Sequence, residues 1–159
     1  MEYAQTRHNA GLMLVDKLAA LLPSDYGWRR QKDKQVYESE NFILVKSHSI
    51  FMNESGRLVR EYKDREIWLA HDELDLMLGS YKIQLGKGPK QHNGVLSVEN
   101  TLGTREFWRI RIGIENRGIG ETMGYKGSGE EYVLQRFSKD ERKILDNVLN
   151  AIAETIVTK

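Results

Sequence analysis

The sequence predicts an α/β fold, a three-layer sandwich in which a central mixed, largely parallel sheet is flanked by helices. Continuous apolar runs at residues 42–45 and 66–71 are short enough for buried strands. Residues 108–114 alternate polar and apolar side chains, which is typical of a strand. Ser138 and Glu141 form a capping box that begins the clearest helix. One face of that helix carries Ile144, Leu145, Val148, Leu149, Ile152 and Ile156.

The other helices are predicted where apolar residues recur every three or four positions between capping signals. The first covers residues 11–22 and ends at the turn formed by residues 23–27. Its apolar face consists of Leu14, Val15, Leu18, Leu21 and Leu22. A short helix is predicted after residues 53–55, and another at residues 92–102 with Gly103 as the residue after its C-cap.

The remaining segments connect or extend the sheet. Residues 28–37 are charged with a few aromatic and apolar residues between, which predicts an exposed hairpin. Residues 81–85 alternate, so one face of that strand is expected to contact water. Residues 86–91 read as a loop, and residues 115–129 as a polar, glycine-rich connection.

Length and composition limit the function classes. With 159 residues and no repeat or linker, the chain is expected to form one domain, residues 1–159. The absence of Cys excludes disulfides, thiolate zinc sites and thiol catalysis. No apolar run approaches the roughly 18 residues that a membrane span needs. The first residues lack the apolar core of a signal peptide, so a cytoplasmic location is expected.

Charge is balanced overall but uneven along the chain. There are 24 Lys and Arg against 23 Asp and Glu, which excludes a generally basic nucleic-acid binder. Residues 82–126 nevertheless carry eight basic and four acidic residues, whereas residues 64–75 carry five acidic residues and one Arg. Arg109 and Arg111 share one face of a strand, so a few phosphate contacts and an ordinary solvent-exposed face are both compatible with this pattern.

Chemically reactive side chains occur in separate clusters, each ambiguous alone. Residues 6–9 contain a histidine just before a helix, and residues 71–75 contain one histidine and three acids at a strand end. Residues 91–94 follow a loop rich in Gly and Lys. A metal site at residues 71–75 is less expected, because these ligands lie too close together along one turn. Residues 51–53 suit a helix cap or a pocket wall.

In order along the chain, these clusters resemble the bacterial-type peptidyl-tRNA hydrolase family. The matching segments are Glu2-Tyr3, Thr6-Arg7-His8-Asn9-Ala10-Gly11, Phe51-Met52-Asn53-Glu54-Ser55-Gly56, His71-Asp72-Glu73-Leu74-Asp75, His92-Asn93-Gly94 and Arg109-Ile110-Arg111-Ile112-Gly113-Ile114. Together they span most of the chain. The resemblance implies an esterase that cleaves the bond between a peptide and the 3′ ribose of tRNA, which recycles the tRNA during translation and ribosome rescue.

The resemblance also implies roles for individual residues. His8 corresponds to the general base that activates water, and Asp72 to the carboxylate that orients its imidazole. The substrate-binding positions are Tyr3 and Phe51 along the crevice, Asn53 and Asn93 as amides on the peptide and tRNA end, and Lys82 and Arg111 on phosphate. The pocket lining includes Asn9, Met52 and His92. The family implies a monomer that uses no metal and no other cofactor.

Some positions depart from the family pattern. The chain begins where the family's first strand and its Gly-Leu-Gly-Asn-Pro-Gly turn would end, so the sheet is expected to lack that strand. Pro89 and Gln91 stand in the family's glycine-rich loop, and Gln84 replaces a frequent lysine. Two alternatives follow: a catalytically impaired peptidyl-tRNA hydrolase-like protein that binds RNA, and a hydrolase acting on another ester.

Overall fold

The computed structural model describes residues 5–48, 52–89, 91–118 and 125–159. The helices are α1 (Ala10–Leu21), α2 (Gly56–Val59), α3 (Asn93–Leu102), α4 (Gly129–Val133) and α5 (Lys139–Val157), and the strands are β1 (Arg29–Arg30), β2 (Lys34–Glu38), β3 (Ile43–Ser47), β4 (Trp68–Met77), β5 (Tyr81–Leu85) and β6 (Trp108–Glu115). Short 3₁₀ turns occupy Arg7–Asn9, Met52–Glu54 and Arg60–Tyr62. We call Arg7–Asn9, which leads into α1, the His8 turn.

The strands form two three-stranded sheets, in the orders β1-β2-β3 and β4-β6-β5. The predicted mixed sheet flanked by helices is confirmed, but the prediction that it is largely parallel is wrong for the described strands. Only β4 and β6 pair in parallel, whereas the three other pairings are antiparallel. For β5 the physical reason is connection length: residues 78–80 are too few for a crossover, so β5 runs back against the direction of β4.

A single central sheet was also expected, and the described residues form two. Among the described strands, β3 pairs only with β2 and β4 pairs only with β6, so no strand pairing joins the two sheets. The expectation that the sheet lacks the family's first strand stays a prediction. Within the described part of the chain, no helix is both long and apolar enough to cross a membrane.

The core lies between one face of the β4-β6-β5 sheet and helices α1 and α5. The buried side chains that form it include Leu14, Leu18, Ile110, Ile112, Ile114, Leu145, Leu149 and Ile152. Helix α1 approaches β4 closely, because a Cβ on Gly11 would lie 2.3 Å from the carbonyl oxygen of Ala70. Only glycine allows this contact. The close packing fixes the start of α1, and with it the His8 turn, against β4.

Local sequence signals place most elements correctly. The capping box of Ser138 and Glu141 is present, and Gly103 follows α3 with φ of 67°, in the left-handed region that favours glycine. Three segments differ from expectation. The hairpin predicted to be exposed is largely buried along β2, where Lys34, Val36 and Tyr37 are buried. β4 continues to Met77, beyond the predicted end near residue 71, so Asp72 lies inside a strand. Helix α4 was not predicted, although Ser128 and Glu131 cap it in the same way as α5.

Candidate active site

Three elements bring two histidines onto one carboxylate. The His8 turn supplies His8, β4 supplies Asp72, and His92 is the N-cap residue of α3. The distance from Asp72 Oδ1 to His8 Nδ1 is 3.0 Å, and to His92 Nε2 it is 2.8 Å. The side chain of His8 is 23% exposed, whereas that of Asp72 is 5% exposed. His8 is therefore the member of this cluster that a substrate reaches most easily.

Hydrogen bonding assigns the protons on both imidazole rings. The backbone N–H of Val95 donates to His92 Nδ1 at 3.3 Å, so in the neutral ring Nε2 carries the proton and donates to Asp72. His8 Nδ1 likewise donates to the ionised Asp72 carboxylate. In this arrangement His8 Nε2 carries no proton, and its lone pair is free to accept one. A histidine in that tautomer is ready to accept a proton from water.

The electrostatics of the pair agree with this assignment. Burial by itself would raise the pKa of the Asp72 carboxyl, but hydrogen bonds from His8 and His92 outweigh burial and hold that pKa far below its usual range. Burial alone would lower the pKa of His8, but the hydrogen bond and charge of Asp72 raise it above the ordinary value of 6.5. Asp72 thus favours the protonated imidazole, which makes His8 a stronger base.

The same side chains also form a candidate metal site. Ligand atoms of His8, Asp72 and His92 lie within 4.8 Å of one another. A metal on His92 Nε2 would, however, require the other ring nitrogen to carry the proton. That nitrogen faces the N–H group of Val95 and accepts its hydrogen bond. The ring environment therefore fits a hydrogen-bonded proton better than a metal ion.

His71 completes a group of three histidines around Asp72. It is 4% exposed, and its Nδ1 donates to the backbone carbonyl oxygen of Asp72 at 2.9 Å. Its ring contacts that of His92 at a centroid distance of 5.3 Å. Burial, followed by the charge of His92, lowers the pKa of His71 to about 4, so this ring is neutral. From the sequence, His71 has no predicted role beyond its place beside Asp72.

Other residues expected at the site lie around this group. Met52 packs against Gly94, since a Cβ there would be 2.6 Å from the Met52 sulfur. Asn53 and Asn93 are exposed, and their side chains make no hydrogen bond with any described residue. Asn9 Nδ2 lies 3.4 Å from Oγ1 of Thr6, the residue before the His8 turn. Tyr3 and Phe51 fall outside the described residues.

The cations expected to hold phosphate differ in availability. Lys82 is exposed, and within the described ranges no acid pairs with it. Arg111 lies opposite Lys82 in register, but its guanidinium bonds Glu73 and Gln84. Arg109 is fully buried against Glu99, so it cannot contribute to the surface patch suggested by its spacing. The exposed positive charge is therefore smaller than the sequence implied.

Comparison with known proteins decides the family, since a sequence model described as peptidyl-tRNA hydrolase matches residues 1–158. The chain belongs to this family. The peptidyl-tRNA hydrolase of Akkermansia muciniphila is 38% identical over 162 residues, which cover 98% of this chain and 81% of the relative. The Bordetella avium enzyme is 36% identical, with coverages of 94% and 75%. A crystal structure of peptidyl-tRNA hydrolase from Acinetobacter baumannii superposes with a TM-score of 0.75 and 28% identity, covering 97% of this chain and 80% of that one.

Two charged residues at the His8 turn of this peptidyl-tRNA hydrolase family member did not follow from the sequence. Arg7 and Glu141 form a buried ion pair directly beside the His8 turn. Arg7 lies in the segment Thr6-Arg7-His8-Asn9, in which the sequence points to His8 alone, and Glu141 is predicted only as a capping residue of the last helix. The signal available in the sequence was the arginine directly before His8. Their pairing required the three-dimensional fold.

Proposed function

We propose that this chain hydrolyses the ester bond between the peptide and the 3′ ribose of tRNA in peptidyl-tRNA, releasing free peptide and tRNA. The family match over nearly the whole chain and the relatives named peptidyl-tRNA hydrolase support this reaction. The observation that carries the proposal is the 3.0 Å contact between His8 Nδ1 and Asp72 Oδ1. It gives a base whose Nε2 is unprotonated, on a side chain that is partly exposed.

His8 acts as the general base. Its Nε2 takes a proton from a water molecule as the water oxygen attacks the ester carbonyl carbon. Asp72 keeps the imidazole in the required tautomer and stabilises the imidazolium that forms. When the tetrahedral intermediate collapses, the bond from carbon to the ribose oxygen breaks. The imidazolium then returns the proton to that oxygen, and the ribose hydroxyl leaves.

The amides of Asn53 and Asn93 bind the substrate around the reacting carbonyl. Both side chains have unused donors and lie beside the residues that surround Asp72. A donor aimed at the developing oxyanion contributes about 10²–10³-fold to such reactions. Asn9, Met52 and His92 line the pocket, and Tyr3 and Phe51 border the crevice for the 3′ end.

Lys82 and Arg111 contact phosphates of the tRNA, with Lys82 as the more available charge. The enzyme acts as a cytoplasmic monomer, as one domain over residues 1–159, without a metal ion or another cofactor. The hydrogen bond from Val95 to His92 supports catalysis without metal, because it fixes the proton that a metal would displace.

Replacing His8 tests the proposal. We expect His8→Ala to abolish release of tRNA from N-acetyl-aminoacyl-tRNA, while circular dichroism shows an unchanged fold. His48→Ala is the matched control, because His48 is the one histidine outside the group around Asp72. Turnover retained in His8→Ala would contradict the role of His8. Binding of tRNA by the unaltered chain without any turnover would support the RNA-binding alternative instead.

A further inference from the structure

We infer that the buried pair of Arg7 and Glu141 positions the general base, by holding the His8 turn at a fixed place relative to β4. This inference rests on the proposed role of His8. Arg7 and Glu141 act through His8 and contact no reacting atom, so they are positioning residues. They lie 134 positions apart in sequence, and their side chains are 2% and 6% exposed.

The guanidinium of Arg7 is held on several sides. Nη2 donates to both carboxylate oxygens of Glu141, at 2.9 and 2.7 Å, and Nη1 donates to the backbone carbonyl of Arg136 at 2.7 Å. The guanidinium also lies over the ring of Tyr132, 4.3 Å from its centroid. A planar, forked cation is needed for this set of contacts, and lysine cannot reproduce it.

Glu141 collects hydrogen bonds from three parts of the chain. Besides Arg7, it accepts from the backbone N–H of Ser138 at 2.8 Å and from Asn116 Nδ2 at 3.0 Å. Burial by itself would raise the pKa of Glu141, but these hydrogen bonds and the charge of Arg7 lower it. The pair therefore stays ionised at neutral pH. It joins the His8 turn to the loop after β6 and to the start of α5.

The backbone around Arg7 is tied to the same region. Its N–H donates to the carbonyl of Gln135 at 3.0 Å, and Thr6 forms a β-bridge with Arg136. The turn is thus anchored on one side by the segment before α5 and on the other by α1. His8 follows Arg7 directly, so a shift at Arg7 moves the imidazole relative to Asp72. A displacement of about 1 Å at a reacting group can cost about 10²-fold in rate.

Arg7→Lys tests this inference because it keeps the charge but loses the forked contacts. We expect kcat to fall about 10- to 100-fold while KM stays unchanged, since the substrate-binding amides are not moved. We also expect the acid limb of the kcat/KM profile to shift to lower pH, because a misplaced His8 gains less from Asp72. Ile156→Ala on α5 is a control that lowers stability without touching the turn. Arg142→Lys is a control that changes a partly exposed arginine paired with Asp146.

A second readout does not depend on turnover. The imidazole titration of His8, followed by NMR, should shift to lower pH in both Arg7→Lys and Glu141→Gln but not in Ile156→Ala. This measurement separates the two proposals, since an inactive unaltered enzyme would defeat the proposed function while the titration still reports on the turn. Unchanged kcat and His8 titration in folded Arg7→Lys would overturn the inference. Failure of both variants to fold would also overturn it, because the pair would then be purely structural.

Discussion

The two faces of the β4-β6-β5 sheet differ in chemistry although they share the same strands. One face of β6 is apolar and consists of Ile110, Ile112 and Ile114, which pack against α1 and α5. The opposite face carries Arg109 and Arg111, each bound to a glutamate. Alternation along one strand produces both faces. Burial of the apolar face stabilises the fold, whereas the two arginines of the polar face are neutralised by the glutamates that they contact.

The proposed catalytic carboxylate belongs to the apolar side of this comparison. Asp72 pairs in register with Ile112, while its neighbour His71 pairs with Arg111. A carboxylate in such surroundings stays ionised only because His8 and His92 donate to it. In the proposed reaction, the apolar face would therefore supply the strong, directed interaction with His8, and the polar face would supply weaker, more exposed contacts for tRNA. Four measurements test this division.

The largest effect is expected from Asp72→Asn, which removes the charge on the apolar face. We expect kcat to fall by about 10²–10⁴-fold, because the amide no longer fixes the His8 tautomer or stabilises its protonated form. Single-turnover hydrolysis of N-acetyl-aminoacyl-tRNA measures this loss. Asp75→Asn, an exposed acid on the same strand, is the control and should be nearly silent. Equal losses in both variants would contradict the assignment of Asp72.

The next effect concerns stability. Ile112→Ala should lower the free energy of unfolding by about 2–5 kcal/mol, because it opens a cavity at a fully buried position. On the polar face, Gln84→Ala removes one hydrogen bond to Arg111 and should cost about 0.5–1.5 kcal/mol. Urea unfolding compares the two variants. A larger loss of unfolding free energy in Gln84→Ala than in Ile112→Ala would contradict the proposed difference between the two faces.

The pH dependence of activity comes third. The pKa of His8 is raised above 6.5. We therefore expect kcat/KM to fall with decreasing pH, with a midpoint at a higher pH than the pKa of an ordinary histidine. In Asp72→Asn the acid limb should move to lower pH. The free energy of unfolding depends on pH in the opposite direction. The raised pKa of His8 contributes to stability below pH 6.5, and this contribution is lost as the pH rises through the pKa of His8 in the folded state. An acid limb unaffected by Asp72→Asn would remove the support for coupling between these residues.

The smallest effect is expected from Lys82→Ala on the polar face. One lost phosphate contact should weaken tRNA binding several-fold at low salt and reduce the slope of log K against log[salt] by about 1. Filter binding at several salt concentrations gives that slope. Lys143→Ala, an exposed cation on α5, serves as the matched control. A slope that changes equally in both variants would place the phosphate contacts elsewhere.

The sequence by itself determined the local features of this protein. The alternation in β6, the capping box at Ser138 and the left-handed Gly103 depend on neighbouring residues, so periodicity and capping chemistry predicted them. Motif order along the chain was enough to identify the family. The proposed base His8 and its partner Asp72 followed from that resemblance, and the structure places them in contact.

Only the tertiary structure decided which charges are available and what surrounds them. Arg109 and Arg111 look equivalent in sequence, yet one is fully buried against Glu99 and the other is engaged by Glu73. The second imidazole on Asp72 comes from His92, 20 positions away, and Glu141 reaches Arg7 across 134 positions. Such contacts arise from the packing of distant elements, on which local periodicity carries no information. Periodicity fixes the face on which a side chain lies, whereas packing decides which partner that face meets.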